Sequence, residues 1–388
     1  MDFELDPEVE TYRSEARAFI ESLMNDEVEK RVRSSGTQHD WEVHRALAAT
    51  GVIADGIGSA TRSGRDPLEL FVLFDELGRA SAPSYGLANT MLVSGVLEQV
   101  GSSFLREEVL PALHGGEAIV ALGYTEPDCG SDLAAISTRV VRNPDGTWLL
   151  NGQKMFTSLA HEASYVFLLT RSNLDVKPHR GMTMFLVPLS LSGIEVQPMF
   201  TFGGDRTNIT FYSNVQVDDQ WRVGEVDGGW DVMRIALAYE RGVLGNTNQA
   251  VSLLEETARW AMLTRRNGDR VLDDSTVRVR LAEIAIDNEM VALLSLRAAL
   301  IASAGGEPSI EGAAAKLFAS ESYVRASELC SQIVGRDGLI DGHDAEAVGG
   351  GWVNHAAKDS PLTTIYGGTS EMQRNLIAER HLGLPRAR

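Results

Sequence analysis

"TRVVRNPDGTWLLNG", residues 138–152, decides the fold. Two runs rich in β-branched, aromatic and aliphatic residues flank Asn143-Pro144-Asp145-Gly146. That tetrapeptide is strong turn chemistry, so the stretch reads as a β-hairpin. Its setting is unusual, because the chain on both sides reads as helix.

Upstream, residues 7–24 place Tyr12, Ala16, Phe19, Ile20 and Leu23 on one face at helical spacing, with Pro7 suited to a first turn. "PLELFVLFDELGRA" (67–80) and "LANTMLVSGVLEQVG" (87–101) read as largely buried helices. Immediately downstream, "SYVFLLTR" (164–171), "GMTMFLVPL" (181–189) and "NITFYSNVQV" (208–217) are short β-rich runs separated by Gly, Pro or Asn. From about Gly229 helical spacing returns. Ser275 or Thr276 is the expected N-cap of a helix with Val277, Leu281 and Ile284 on one face. "SIEGAAAKLFASESYVRASELCSQIVG" is another long helix, and "AVGGGW" (347–352) is expected as a loop. Several such helices suggest an antiparallel bundle. The expectation is an α+β multidomain chain: a helical domain over 1–119, a β barrel or sheet domain over 120–228 and a four-helix bundle over 229–388. A doubly wound sheet is excluded, because strands and helices do not alternate.

The chain has 388 residues, 44% hydrophobic and 23% charged, an ordinary globular balance. A net charge of −19 argues against nucleic acid or an anionic membrane as the main partner, though not against an anionic ligand in a local basic pocket. Only Cys129 and Cys330 are present, so neither a disulfide framework nor a structural zinc site is expected, and no metal is called for. The acidic N-terminus is not a signal peptide, and no apolar run approaches ~18 residues. A cytoplasmic location without membrane insertion is the simple expectation.

Four motifs carry the chemistry: "GYTEPDCGSD" (123–132), "NGQKMFTS" (151–158), "ERGVLGNTNQA" (240–250) and "IYGGTSEMQR" (365–374). Together, in this order and spacing, they resemble the acyl-CoA dehydrogenase family. The resemblance implies an α–β–α fold, FAD, a tetramer, an acyl-CoA substrate and an electron-transfer flavoprotein as acceptor. In "TEPDCGSD", glycine and small residues let backbone N–H groups approach an anion or a flavin edge. By resemblance, Thr125 and the backbone around Tyr124 meet the flavin, while Gly130 and Ser131 approach its pyrophosphate and the substrate. Phe156 and Ser158 stand where the family usually has tryptophan and threonine. Period-two alternation would aim both at the flavin from one face of a strand.

Such an enzyme needs a carboxylate over the α-carbon of a thioester. Many relatives carry it in a Tyr-Glu-Gly-Thr turn, but here that turn is Tyr366-Gly367-Gly368-Thr369. A second branch takes the glutamate from a bundle helix, directly before an arginine. Glu240-Arg241, after the largely apolar "VMRIALAY", matches it. The resemblance therefore implies Glu240 as the base, Arg241 as its structural neighbour and the Gly367 N–H as donor to the thioester oxygen. Tyr366 and Gly368 would line the substrate, with Thr369 and Glu371 near FAD.

Two elements depart from the family pattern. Its Arg-x-x-Phe-Gly, which grips the FAD of a neighbouring subunit, becomes "TRRNGDR" (264–270), where Arg265 or Arg266 is the expected substitute for the arginine. Its Gln-x-x-Gly-Gly keeps Gln332 and Gly335 but has Arg336 in place of the second glycine. These departures resemble subunits of α2β2 members acting on steroid side chains and other bulky thioesters, so a homotetramer and an α2β2 heterotetramer both stay open. The alternatives to a dehydrogenase are a flavin oxidase or oxygenase on the same fold, and a silent subunit that completes a partner's FAD site.

Overall fold

A computed structural model describes residues 5–56, 64–240, 249–342, 344 and 346–386. Among the described residues, seven α-helices come first: α1 (Pro7–Leu23), α2 (Asp26–Ser35), α3 (Trp41–Ala49), α4 (Val52–Gly56), α5 (Pro67–Arg79), α6 (Tyr85–Val100) and α7 (Leu110–His114). Pro7 and Pro67 occupy first turns, where a missing N–H costs nothing.

Eight strands follow: β1 (Val120–Gly123), β2 (Arg139–Arg142), β3 (Trp148–Lys154), β4 (Tyr165–Arg171), β5 (Met182–Pro188), β6 (Ile194–Phe200), β7 (Arg206–Val217) and β8 (Arg222–Val223). They form one sheet in the order β6-β7-β3-β2-β4-β5-β8, with β1 added in parallel to β4. β2 and β3 form the expected hairpin, Arg142 opposite Trp148. Strand β6, not anticipated from sequence, ends the sheet; its Pro198 is tolerated because an edge strand has no ladder to complete on its outer side.

The sheet joins the halves of the molecule because its central strands are apolar on both faces. Phe167, Leu169, Met184 and Leu186 pack with Val93, Val96 and Leu97 of α6. The alternate residues, Val166, Leu168, Phe185 and Val187, pack with Trp148, Leu150, Tyr212 and Val215 on the other side. Two buried faces produce near-continuous apolar runs rather than clean alternation.

The last region holds α8 (Gly229–Tyr239), α9 (Ala250–Leu263), α10 (Ser275–Ser303), α11 (Ser309–Val334), α12 (Trp352–Thr363) and α13 (Ser370–Arg380). The N-cap of α10 is Asp274, whose carboxylate accepts from the Thr276 N–H at 2.7 Å; neither Ser275 nor Thr276 holds that place. The buried stripe of α10, Val277, Leu281, Ile284, Asn288, Val291, Ser295 and Ala298, recurs every three to four residues, as a bundle helix requires. "AVGGGW" is a short 3-10 turn over Val348–Gly351 that opens α12.

Candidate active site

Two stretches that are remote in sequence form the first wall. The loop after β1 is anchored by Glu126, whose buried carboxylate accepts from Ser137 N and Oγ at 2.6 Å each, from Thr138 N at 2.9 Å and from Lys154 Nζ at 2.8 Å. Lys154 Nζ also donates to the Tyr124 carbonyl at 3.0 Å, and Met155 N–H donates to the Thr125 carbonyl at 2.9 Å. Burial alone would raise the Glu126 pKa, but the Lys154 ammonium and the Ser137 donors bring it down to about 2. Gly152 makes this geometry possible: at φ 146° it sits at a bulge against β7, and a Cβ there would lie 2.7 Å from Thr138 Cα. Sequence reasoning passed over Glu126 and Lys154, although a lysine in the β-rich "WLLNGQK" was a visible signal.

Beyond these anchors the loop turns outward. Gly130 and Ser131 are exposed, and the space beside Gly130 where a side chain would begin holds nothing within 4 Å. Among the described residues, no acceptor takes the N–H groups of Gly130, Ser131 or Asp132. Cys129 is buried, its Sγ donating to the Asp132 carbonyl.

β3 ends at Lys154, so Phe156 and Ser158 lie in the turn after it, and strand alternation does not aim them. Phe156 has a φ of 55° and is 57% exposed. A left-handed aromatic residue left open to solvent is strained and unsatisfied at once, a combination found at ligand sites. Ser158 Oγ is 3.0 Å from Thr207 Oγ1 on β7, and Thr157 N–H donates to the Asn208 carbonyl.

The second wall is the turn between α12 and α13. Gly367 and Gly368 have φ values of 64° and 85°, which side chains rarely adopt. A Cβ built on Gly367 would stand 3.4 Å from Oε1 of Glu240, which follows directly on α8, and 3.7 Å from Cε of Lys316 on α11. The turn is held from below by Lys316 Nζ, donating to the carbonyls of Thr363 (2.9 Å) and Gly368 (2.8 Å), and by Gln373 Nε2, donating to the Gly367 carbonyl (3.0 Å). Burial pushes the Lys316 pKa down to about 8, against the charges of Glu240, Glu321 and Glu371.

Thr369 Oγ1 caps α13 by accepting from Met372 N–H, and Glu371 is exposed beside it. Tyr366 is 45% exposed. Arg241 lies outside the described residues.

Tyr124 links the two walls. It adjoins Thr125, its hydroxyl is buried without a partner among the described residues, and burial and the charge of Glu240 both raise its pKa. An orphaned hydroxyl between the loop and the carboxylate marks a place prepared for a ligand.

Arg266, Gln332 and Gly335 converge elsewhere. The Arg266 guanidinium lies 5.1 Å from the Trp260 ring centroid and donates to the carbonyls of Ile333 and Val334, 3.0 and 2.5 Å away. It thereby closes the end of α11, beside exposed Gln332 and Gly335. Arg265 points to the Gly268 carbonyl on the neighbouring two-residue hairpin. Apart from both groups, Asp205, His355 and Asp359 bring ligand-capable atoms within 4.8 Å of one another between the β6–β7 turn and α12.

Three family models cover the chain: the N-terminal (residues 6–117), middle (121–219) and C-terminal (227–382) domains of acyl-CoA dehydrogenase. The acyl-CoA dehydrogenase FadE26 of Mycobacterium tuberculosis is 32% identical, covering 98% of each chain. Two solved structures superpose over the full length of both chains: the Tcur3481-Tcur3483 steroid ACAD (TM-score 0.89, 30% identity) and the ChsE4-ChsE5 complex from Mycobacterium tuberculosis (TM-score 0.88, 29%). No helix among the described residues is long and apolar enough to cross a membrane.

Proposed function

The chain belongs to the acyl-CoA dehydrogenase family, and from that premise we propose that it converts an acyl-CoA thioester to its trans-2-enoyl product, with FAD as cofactor and Glu240 as the base. One observation carries the assignment: the Glu240 carboxylate stands over Gly367, where the tail of the chain offers no side chain of its own.

The residues present suit a flavin. Free N–H groups at Gly130 and Ser131 match a pyrophosphate, the open ring of Phe156 matches a planar face, and the unpartnered Tyr124 hydroxyl lies between that loop and the base. Thr125 and Ser158 complete this wall. Bound FAD supplies an acceptor for the hydride from the β-carbon. Glu240 takes the α-proton as the C–H bond electrons become the new double bond. The Gly367 N–H donates to the thioester oxygen, where negative charge develops in the transition state, and needs no side chain to do so. Tyr366 and Gly368 flank the acyl chain.

Arg266 serves by holding Gln332 and Gly335 in place, rather than by reaching a phosphate itself. With Thr369 and Glu371, this group would face the FAD of a neighbouring subunit. A second apolar stripe on α10, Val279, Ile286, Met290 and Leu300, is exposed on the single chain and offers a subunit contact. The names of both structural relatives describe two-component proteins, one of them a steroid enzyme. We therefore favour a base-bearing subunit of an α2β2 assembly acting on a bulky CoA thioester, with an electron-transfer flavoprotein as acceptor.

A panel of CoA thioesters, scored by anaerobic flavin bleaching with and without a candidate sister subunit, tests the reading. Glu240→Gln is expected to retain flavin and lose about 10²–10⁴-fold in bleaching rate. Wild-type bleaching rates in that variant would remove Glu240 as base. Oxygen consumption during turnover would identify an oxidase instead.

A further inference from the structure

We propose that Lys316 is the positioning residue of the base: one buried ammonium fixes the glycine turn and holds Glu240 charged above it. The inference rests on Glu240 being the base, and deepens that reading.

The placement of Lys316 is the first argument. It lies on the core face of α11, between Gly312 one turn before and Ser320 one turn after, where a lysine is costly to bury unless it is used. Its two recorded hydrogen bonds go to the carbonyls of Thr363 and Gly368, which bracket Gly367. Thr363 ends α12, so its carbonyl has no partner within the helix. Lys316 therefore fixes both ends of the segment that carries the Gly367 N–H.

Charge is the second argument. Lys316 Cε and Glu240 Oε1 approach the same point over Gly367. A neutral amide could cap the two carbonyls equally well, but only a cation also favours the ionised carboxylate. The recorded hydrogen bonds of the ammonium go to carbonyls, so it acts on Glu240 through space. Among the described residues, the other groups bearing on the pair are Glu321 on α11 and Glu371 on α13, both facing Lys316, and the neutral hydroxyls of Tyr85 on α6 and Tyr124, both facing Glu240. The acidic neighbours help to keep the lysine protonated despite its burial.

The test follows Glu240 directly. The full-length protein is labelled with 13C at glutamate side-chain carboxyls, and the Glu240 signal is assigned by its loss in Glu240→Gln. Its titration midpoint is then measured in wild type, Lys316→Met, Lys316→Gln and Lys316→Arg. The midpoint is expected to rise by about one pH unit in the Met and Gln variants and to return with Arg. Should the Met variant fail to fold, the Gln–Arg comparison still decides. A wild-type midpoint in Lys316→Gln, or an Arg variant that titrates like Gln, overturns the proposal. Anaerobic bleaching of Glu240→Gln separates the two readings. If that variant is inactive while Lys316→Gln titrates as wild type, only the role of Lys316 falls. If it bleaches normally, the base assignment falls and takes the role of Lys316 with it.

Discussion

Oε1 of Glu240 stands 3.4 Å from the point where a side chain on Gly367 would begin. Two positions far apart in the chain thus address one volume.

Gly367→Glu in the wild-type background is expected to lower the bleaching rate at least about tenfold. Two carboxylates sharing a site raise one pKa strongly, and a left-handed glutamate at φ 64° costs roughly 1–2 kcal/mol. Glu240→Gly combined with Gly367→Glu is expected to recover part of the activity that Glu240→Gly alone loses. Stopped-flow bleaching of the three variants checks this, and a double variant no faster than Glu240→Gly would contradict it.

Lys154→Met breaks an ion pair whose side chains are 0% and 3% exposed. It leaves Glu126 charged without its partner, a loss of about 3–5 kcal/mol. A lower urea midpoint and weaker flavin retention are expected together, because the same pair shapes the loop at Tyr124–Ser131. Urea melts of the purified variant, with flavin absorbance, measure both.

His39 and His44 lie edge to face at 5.3 Å, buried, with no hydrogen-bond partner for their ring nitrogens among the described residues. Burial, then the neighbouring His39 and Arg45, push His44 down to about 3; burial also lowers His39. The folded state thus binds fewer protons than the unfolded state. Stability should be fully present above about pH 6.5 and fall as pH drops below it, by up to about 1.4 kcal/mol per pH unit for each imidazole. Denaturation midpoints between pH 7.5 and 5 measure the slope, which His44→Leu is expected to flatten.

Ile286 is 63% exposed on the second stripe of α10. Ile286→Glu is expected to shift the assembly toward smaller species in size-exclusion chromatography while leaving the circular dichroism of the fold unchanged. An unaltered elution volume would place the subunit contact elsewhere.

The order of helical, strand and helical regions was legible because apolar periodicity switches at the hairpin and switches back near Gly229. The strand β6 was not, because its proline and half-exposed alternation resemble a loop until a partner strand is known. Glu240 and Gly367 were legible only as a pair of motifs; their contact depends on how α8 meets the α12–α13 turn, which no local pattern encodes. The strand alternation expected to aim Phe156 stops two residues before it, at Lys154. Lys316 was overlooked inside "GAAAKLF", although a lysine on the buried stripe of a helix is a physical anomaly worth pursuing.

The knot of bonds at Glu126 has a practical corollary for protein engineering. Residues 126, 137, 138 and 154 are tied at one point, so the segment 127–136 forms a closed circuit of set length, and adding or deleting a residue there would pull a donor off the carboxylate. The hairpin tip at Asn143–Thr147 is held mostly by its own bonds, with one long bond from Gln216 Nε2 to Thr147 Oγ1 at 3.5 Å, and the space beside Gly146 is empty. An epitope or fluorophore grafted between Asp145 and Gly146 should leave the loop at Tyr124–Ser131 undisturbed, whereas the same graft ten residues upstream should not.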